Sequence, residues 1–387
     1  MKMTISINPE VLIWARNRAG YSIVEMSKKF PKLVSFESGE AFPSASQLES
    51  LSKAYKVPLA VFFFSTIPKE PSIETSLRAV SEEDVHNLSP NVRFLFRKAK
   101  AFQLYLQELF IDEQQNQRNK LLWLTQANTE SIDHLSERIR LILETPIEMQ
   151  QQWNSTEVAL EKWRNSLAKN GVFVFKDAFK NDSVSGFCIY DDVFPTIFIN
   201  NSLSKSRQIF TIFHELGHLI FKQNYLDMEK DIGDFSHYNI SDIESKCNAF
   251  AGNFLVPDDD FKNRYKLISK KSHTDDVIDA LKKIYNVSKE VILRKLLHNR
   301  FINNDTFSSK MNEWALAVSS RKSFAIKKSG GNYYNTKIQY LGNEYSSLVF
   351  SKYYQGKLDI HTAAEYLDIK QKSFSKLEQK FLTKELS

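Results

Sequence analysis

At 387 residues with 42% apolar content, the chain is long enough for two or three domains and can bury real cores. Its 52 Lys and Arg against 46 Asp and Glu leave a formal charge of +6, which permits a nucleic-acid partner without demanding one. Cys188 and Cys247 are too few for a disulfide framework, no apolar run reaches a membrane span, and Met1–Asn8 lacks a signal-peptide shape, so a cytoplasmic, membrane-free setting is expected.

Residues 1–68 read as a compact helical unit. Helical spacing runs over Pro9–Arg18, Ser22–Lys29 and Ser46–Tyr55, and Ser22 with Glu25 forms an S-x-x-E capping box. Phe36-Glu-Ser-Gly-Glu40, Pro43, Gln47-Leu48, Leu51 and Lys56-Val-Pro-Leu-Ala-Val-Phe-Phe63 together resemble the helix-turn-helix domain of Cro/XRE-type regulators. That resemblance implies DNA binding through the second helix of the motif. The chain departs from the pattern where that helix should stand. Only Phe30-Pro-Lys-Leu-Val-Ser35 precedes Phe36, with Pro31 at the turn, so the segment is about one helical turn short. Two readings stay open: phosphate contacts through Arg16, Arg18, Lys28, Lys29 and Lys32, or a degenerate module that docks on protein.

Pro68 to Pro71 punctuates a boundary, and residues 69–168 read as a helical connector. A long amphipathic stretch runs from Ser89 to Asp112, with Val92, Leu95, Phe96, Ala99, Phe102, Leu106 and Leu109 at helical spacing. Gln114–Asn119 reads as a loop tip, and Leu160, Trp163 and Leu167 share one helical face. The period then changes. Val172–Phe175, Gly186–Tyr190 and Thr196–Ile199 are short strand-like runs separated by Asn-Asp and Asp-Asp turns.

From Ser206 to Phe221 the chain has no Pro, one Gly, and apolar residues almost all round, which reads as a buried helix. Inside it stands His214-Glu215-Leu216-Gly217-His218. Residues i and i+4 share a helix face, so both imidazoles can reach one ion, and Glu215 can act as general base toward a water. Two hydrogen-bonded core histidines are the bland alternative, but they would leave a costly buried Glu between them. A hydrolytic zinc site needs a third protein ligand. The metzincin continuation fails, because Phe221 and Asn224 stand where Gly and His are required. Asp227, Glu229, Asp231, Asp234 and Asp242 are carboxylate candidates, most of them in a polar stretch over 224–241 that reads as a loop. Glu244 differs: it opens a helical segment over Asp242–Phe254, shares a face with Asn248, and precedes the helix-ending Pro257. A solvated capping carboxylate is its alternative role.

Here a second resemblance appears. Glu244-x-x-Cys247-Asn248-x-Phe250-Ala251 with Val256-Pro257, following the H-E-L-G-H run, resembles the ImmA/IrrE family of bacterial metallopeptidases, with Cys247 where Ala is usual. Gly171–Phe175, Ser185–Phe187, Pro195–Asn200 and Arg207–Thr211 extend the likeness upstream, and the N-terminal unit looks closest to the version fused to such peptidases. The resemblance implies a gluzincin-like zinc endopeptidase in which His214, His218 and Glu244 hold Zn2+ and Glu215 is catalytic. It also implies a protein substrate, a transcriptional repressor cut to derepress stress, phage or mobile-element genes. His237 and Tyr238 are candidate donors to the oxyanion.

Residues 258–387 resume helical texture. Ser288–Arg294 reads as a second helix-turn-helix-like element, Gly330–Asn335 as a turn, and Ile360–Leu367 as a capped helix. The expected fold is mainly α with a small β-sheet (α+β): a helix-turn-helix-like domain over 1–68, a helical support over 69–168, a minimal zincin-like core over 169–300, and a helical region over 301–387. The rival functions are a DNA-binding regulator or antitoxin-like protein with a structural metal, and a zinc hydrolase for a non-peptide substrate.

Overall fold

The computed structural model describes residues 5–69, 89–125, 131–181, 184–231, 240–269, 273–322 and 332–385. Those residues are mostly helical with one three-stranded sheet, so the mainly-α architecture with a small β-sheet holds. The chain divides into two compact units, Met1–Ala101 with Phe179–Asn181, and Phe102–Ala178 with Asp182–Ser387.

The first unit begins with the helix Pro9–Ala19. Asn8 accepts from the Glu10 amide, Pro9 occupies the first turn where no amide donor is needed, and Gly20 closes the helix at φ +83°. Ile23–Lys29, Leu33–Glu37 and Ala45–Tyr55 follow, capped by Ser22 and by a Ser44/Gln47 capping box. Leu12, Ala15, Met26, Leu33, Phe36, Leu48, Leu51 and Tyr55 form the core. The third helix has five residues, in keeping with the short segment read from sequence. It spends Leu33 and Phe36 on the core and leaves Val34 outward. Arg16 is not free to meet phosphate: its guanidinium lies on the Glu37 carboxylate at 2.8 and 3.0 Å, largely out of solvent.

In the second unit β1 (Phe173–Asp177), β2 (Gly186–Ile189) and β3 (Thr196–Asn200) form a sheet in the order β1-β3-β2. β3 runs parallel to β1 and antiparallel to β2. Every residue of β3 is buried. On one face Phe198 stacks on Phe187 at 5.4 Å and meets Phe175 and Phe102. Ile197 and Ile199, alternate in the strand, join the core cluster of Ile209, Ile212, Phe213 and Leu216 from the helix Lys205–Asp231. Gly186 marks a close approach of sheet and helix. A Cβ there would stand 2.6 Å from Thr211 Cγ2 and 2.8 Å from the Phe198 carbonyl oxygen.

The parallel strand β1 is tied down by a buried ionic group. Arg164, from the helix Thr156–Lys169, donates to the Val174 carbonyl at 2.8 and 3.0 Å and to Gln339 and Tyr340 at the end of the helix Tyr333–Leu341. Glu161 pairs with both Arg164 and Lys176. Burial pushes the Glu161 carboxyl up, but the two cations outweigh it and hold it at about 2. Burial and the Arg164 charge together bring Lys176 down to about 8.

Three local readings are corrected. Gln114–Lys120 is a helix rather than a loop tip, because Gln, Arg and Lys are sound helix formers and Gln117 is buried. The histidine helix runs on to Asp231, through residues 224–231 of the polar stretch read as loop, which contain neither Gly nor Pro. Tyr333–Asn335 belong to a helix capped by Asn332 instead of to a turn.

Candidate metal centre

Two helices carry the candidate residues: Lys205–Asp231 brings His214, Glu215 and His218, and Ile240–Leu255 brings Glu244 and Asn248. They pack face to face through aromatic rings. Phe213 stacks on Phe254 at 4.2 Å, and Trp163 meets both, at 4.9 and 5.3 Å. Trp163 is fully buried, and each such aromatic contributes on the order of 2–3 kcal/mol through burial.

The glutamate helix is also held at its carboxyl end. Arg140 is buried, donates to the Phe254 carbonyl at 3.2 Å and the Thr145 carbonyl at 2.9 Å, and reaches Gln150 Oε1. Its guanidinium lies 4.6 Å from the Phe254 ring centroid. Gln150 donates in turn to the carbonyls of Leu255 and Tyr285. A cation on the last carbonyls of a helix satisfies orphan acceptors and opposes the negative end of the dipole. Burial brings Arg140 down to about 10, still charged at neutral pH. A second clamp lies on the same helix, where Lys295 donates to Asn253 at 3.0 Å and Asp258 at 2.8 Å, and Asn253 donates to Asp133.

This scaffold brings three donor side chains together. His214 Nε2 and His218 Nε2 lie 3.1 Å apart, Glu244 Oε2 is 3.3 Å from His214 Nε2, and Glu244 Oε1 is 3.1 Å from His218 Nε2. A tetrahedron with bonds of about 2.0–2.1 Å has edges of about 3.3–3.4 Å, so these separations fit one shared zinc-sized cation. The donor set is chemically apt as well, since two imidazoles and one carboxylate match a three-ligand hydrolytic site. His214 directs its other nitrogen, Nδ1, to Asn248 Oδ1 at 3.1 Å; with Nδ1 donating, Nε2 presents its lone pair to the centre. The histidine side chains are 18% and 10% exposed and Glu244 47%, so the cluster opens to solvent on the carboxylate side. Glu215 is buried next to it.

Residues 167–297 match the Peptidase_M78 family model, the IrrE N-terminal-like domain. The match supports the ImmA/IrrE resemblance and a peptidase-type activity. No curated protein matches the chain. A solved Mycobacterium tuberculosis transcriptional regulator is similar at 16% identity and a TM-score of 0.32, over 46% of this chain and 51% of that one. The chain thus spans about half the length of that regulator.

The Peptidase_M78 segment contains the sheet, both site helices and all of His214, Glu215, His218, Glu244 and Asn248. Arg140, Gln150 and Trp163 precede it. Sequence reading passed over Arg140 and Gln150 as clamps; a charged residue amid the apolar face Leu135, Ile139 and Leu143 was the available signal. Among the described residues, His214, His218 and Glu244 form the one cluster of metal-binding groups, and the remaining described histidines stay outside it. His237, Tyr238 and Asp234 lie outside the described residues, as do the side chains of Asp227, Glu229, Asp231 and Asp242.

Proposed function

We propose that this protein is a zinc-dependent endopeptidase of the ImmA/IrrE type that cuts a specific transcriptional regulator. The observation that carries the reading is the cluster of His214 Nε2 and His218 Nε2, 3.1 Å apart, with the Glu244 carboxylate, whose Oε2 and Oε1 lie 3.3 and 3.1 Å from them in turn, assembled from two packed helices. These three residues would hold the ion. When bound, zinc supplies Lewis acidity toward a carbonyl oxygen and makes water more acidic. Glu215 takes the proton of the attacking water and returns it to the leaving amine nitrogen. Asn248 keeps His214 in the tautomer the site requires.

A polypeptide substrate is favoured over a small molecule by the sheet. Among the described residues β2 pairs on one side only, with β3, so its other edge can add an extended peptide beside the helix that carries the histidines. Residues 169–300 would be the catalytic core, 69–168 its support, 301–387 a helical accessory region, and 1–68 a module that docks on protein, its third helix having only five residues. Two free thiols fit a reducing cytoplasm, and no helix among the described residues is long and apolar enough to cross a membrane.

The test uses the zinc-loaded chain and any transcriptional repressor encoded beside its own gene, with intact-mass spectrometry as readout. The expected result is one cut by the wild type and none by Glu215→Gln, which still carries zinc. Equal cutting by Glu215→Gln would remove Glu215 from the reaction.

A further inference from the structure

We infer that residues 343–385 form a DNA-directed helix-turn-helix, with the helix Phe374–Glu385 as its reading helix. The inference is independent of the hydrolase proposal. Three helices, Asn343–Tyr354, Ile360–Tyr366 and Phe374–Glu385, pack on one another, and Tyr345 of the first also meets Phe102 at 5.5 Å and Phe175 at 5.0 Å. Phe350 meets Phe374 at 5.6 Å and Phe381 at 5.0 Å, Tyr353 meets Phe374 at 4.8 Å, and the Tyr345 hydroxyl donates to the Tyr366 carbonyl at 3.1 Å. Ala363, Ala364 and Leu367 are buried; the two alanines let neighbouring helices approach closely.

The connection reverses the chain in two steps. Asp359 caps the middle helix by accepting from the Thr362 amide. The chain then reverses through Leu367–Lys370, with Asp368 in the left-handed region at φ 51°. A single 3-10 turn, Gln371–Ser373, leads straight into Phe374–Glu385. Seven residues, Leu367–Ser373, thus join the two helices, and with the 3-10 turn taken as the lead-in to the second the turn proper is Leu367–Lys370, close to the turn of a helix-turn-helix. The reading helix has 12 residues, whereas the third helix of the N-terminal unit has five.

Side-chain chemistry commits this face to a polyanion with readable edges. Phe374, Leu377 and Phe381 turn inward, and Ser375, Lys376, Gln379 and Lys380 are exposed on the opposite side. Lys370 and Lys372 are exposed on the approach. Elsewhere in this region the lysines find acids: Lys337 pairs with Asp368, Lys352 with Glu113 and Lys357 with Asp112. Among the described residues no ion pair engages Lys370, Lys372, Lys376 or Lys380. Unpaired lysines at this spacing complement phosphates, and Ser, Gln and Lys are donors to base edges in a major groove. The middle helix is anchored on its own account, with Tyr366 stacked on Tyr105 at 4.4 Å and hydrogen-bonded to Glu108.

The experiment is fluorescence anisotropy of the full chain with a labelled mixed-sequence duplex of about 20 bp, titrated with salt. The wild type should bind at about 50 mM salt and weaken steeply as salt rises. Lys372→Gln/Lys376→Gln/Lys380→Gln should weaken binding at least about tenfold and flatten the log–log salt slope by about 2–3, since each phosphate contact contributes about 0.9. Lys28→Gln/Lys29→Gln/Lys32→Gln should bind as wild type. The inference fails if the C-terminal triple variant binds like wild type, if the N-terminal one alone loses binding, or if the wild type ignores the duplex. It also fails if the wild type takes up phosphatidylserine vesicles in place of DNA.

Discussion

Gly217 lies so near Cys247 that a Cβ on Gly217 would stand 3.1 Å from the Cys247 Cα and 3.2 Å from its Cβ and Sγ. The two positions adjoin the candidate metal ligands: Gly217 precedes His218, and Cys247 is one turn after Glu244. The missing side chain lets the helices close until His218 Nε2 and Glu244 Oε1 are 3.1 Å apart. Gly217→Ala gains about 1 kcal/mol of helix propensity yet forces the helices apart by a few tenths of an ångström. The expected result is a zinc affinity lower by about tenfold in a chelator competition. Unchanged affinity would show that this contact does not set the ligand spacing.

Asn248 Oδ1 lies 3.1 Å from His214 Nδ1 and acts on the proposed site through that ring. Asn248→Ala should cost about 10–100-fold in zinc affinity, with Asn248→Asp restoring most of it because a carboxylate oxygen also accepts from Nδ1. Loss of the same size in both variants would point to a general packing defect.

Arg140→Met leaves the Phe254 and Thr145 carbonyls and Gln150 Oε1 without their buried donor. Leaving such groups unsatisfied should cost about 2–4 kcal/mol, read as a lower urea midpoint. An unshifted midpoint would refute the role of Arg140 as the clamp on the glutamate helix.

Glu161 gives the fold an acid limit. Its folded pKa of about 2 lies below the ordinary 4.5, so its stabilisation is complete above 4.5 and is lost as pH falls from there toward 2. In Glu161→Gln this part of the acid dependence should vanish, leaving a shallower loss of stability between those pH values. Identical acid curves for variant and wild type would contradict the assignment.

Much of the centre was legible in the chain because its chemistry is local. The i, i+4 spacing of His214 and His218 forces a shared helix face, and Glu244 and Asn248 repeat that spacing on a second helix. The strands were equally readable, since Val174, Phe175, Ile197 and Phe198 lie in short apolar runs between turn residues. What escaped was long-range or unpatterned. Arg140 meets Phe254 only after folding, and Gly217 gains its meaning from Cys247. The helix Gln114–Lys120 has no apolar stripe to announce it. Phe374–Glu385 does carry one, at Phe374, Leu377 and Phe381, yet its outer lysines acquire sense only beside paired lysines elsewhere.

The most direct test of the whole account is the zinc content of the dialysed, zinc-loaded protein, wild type against Glu244→Ala, by elemental analysis. The account predicts one zinc per wild-type chain and essentially none in the variant. A wild type that retains no zinc, or a Glu244→Ala protein that keeps a full equivalent, would contradict it.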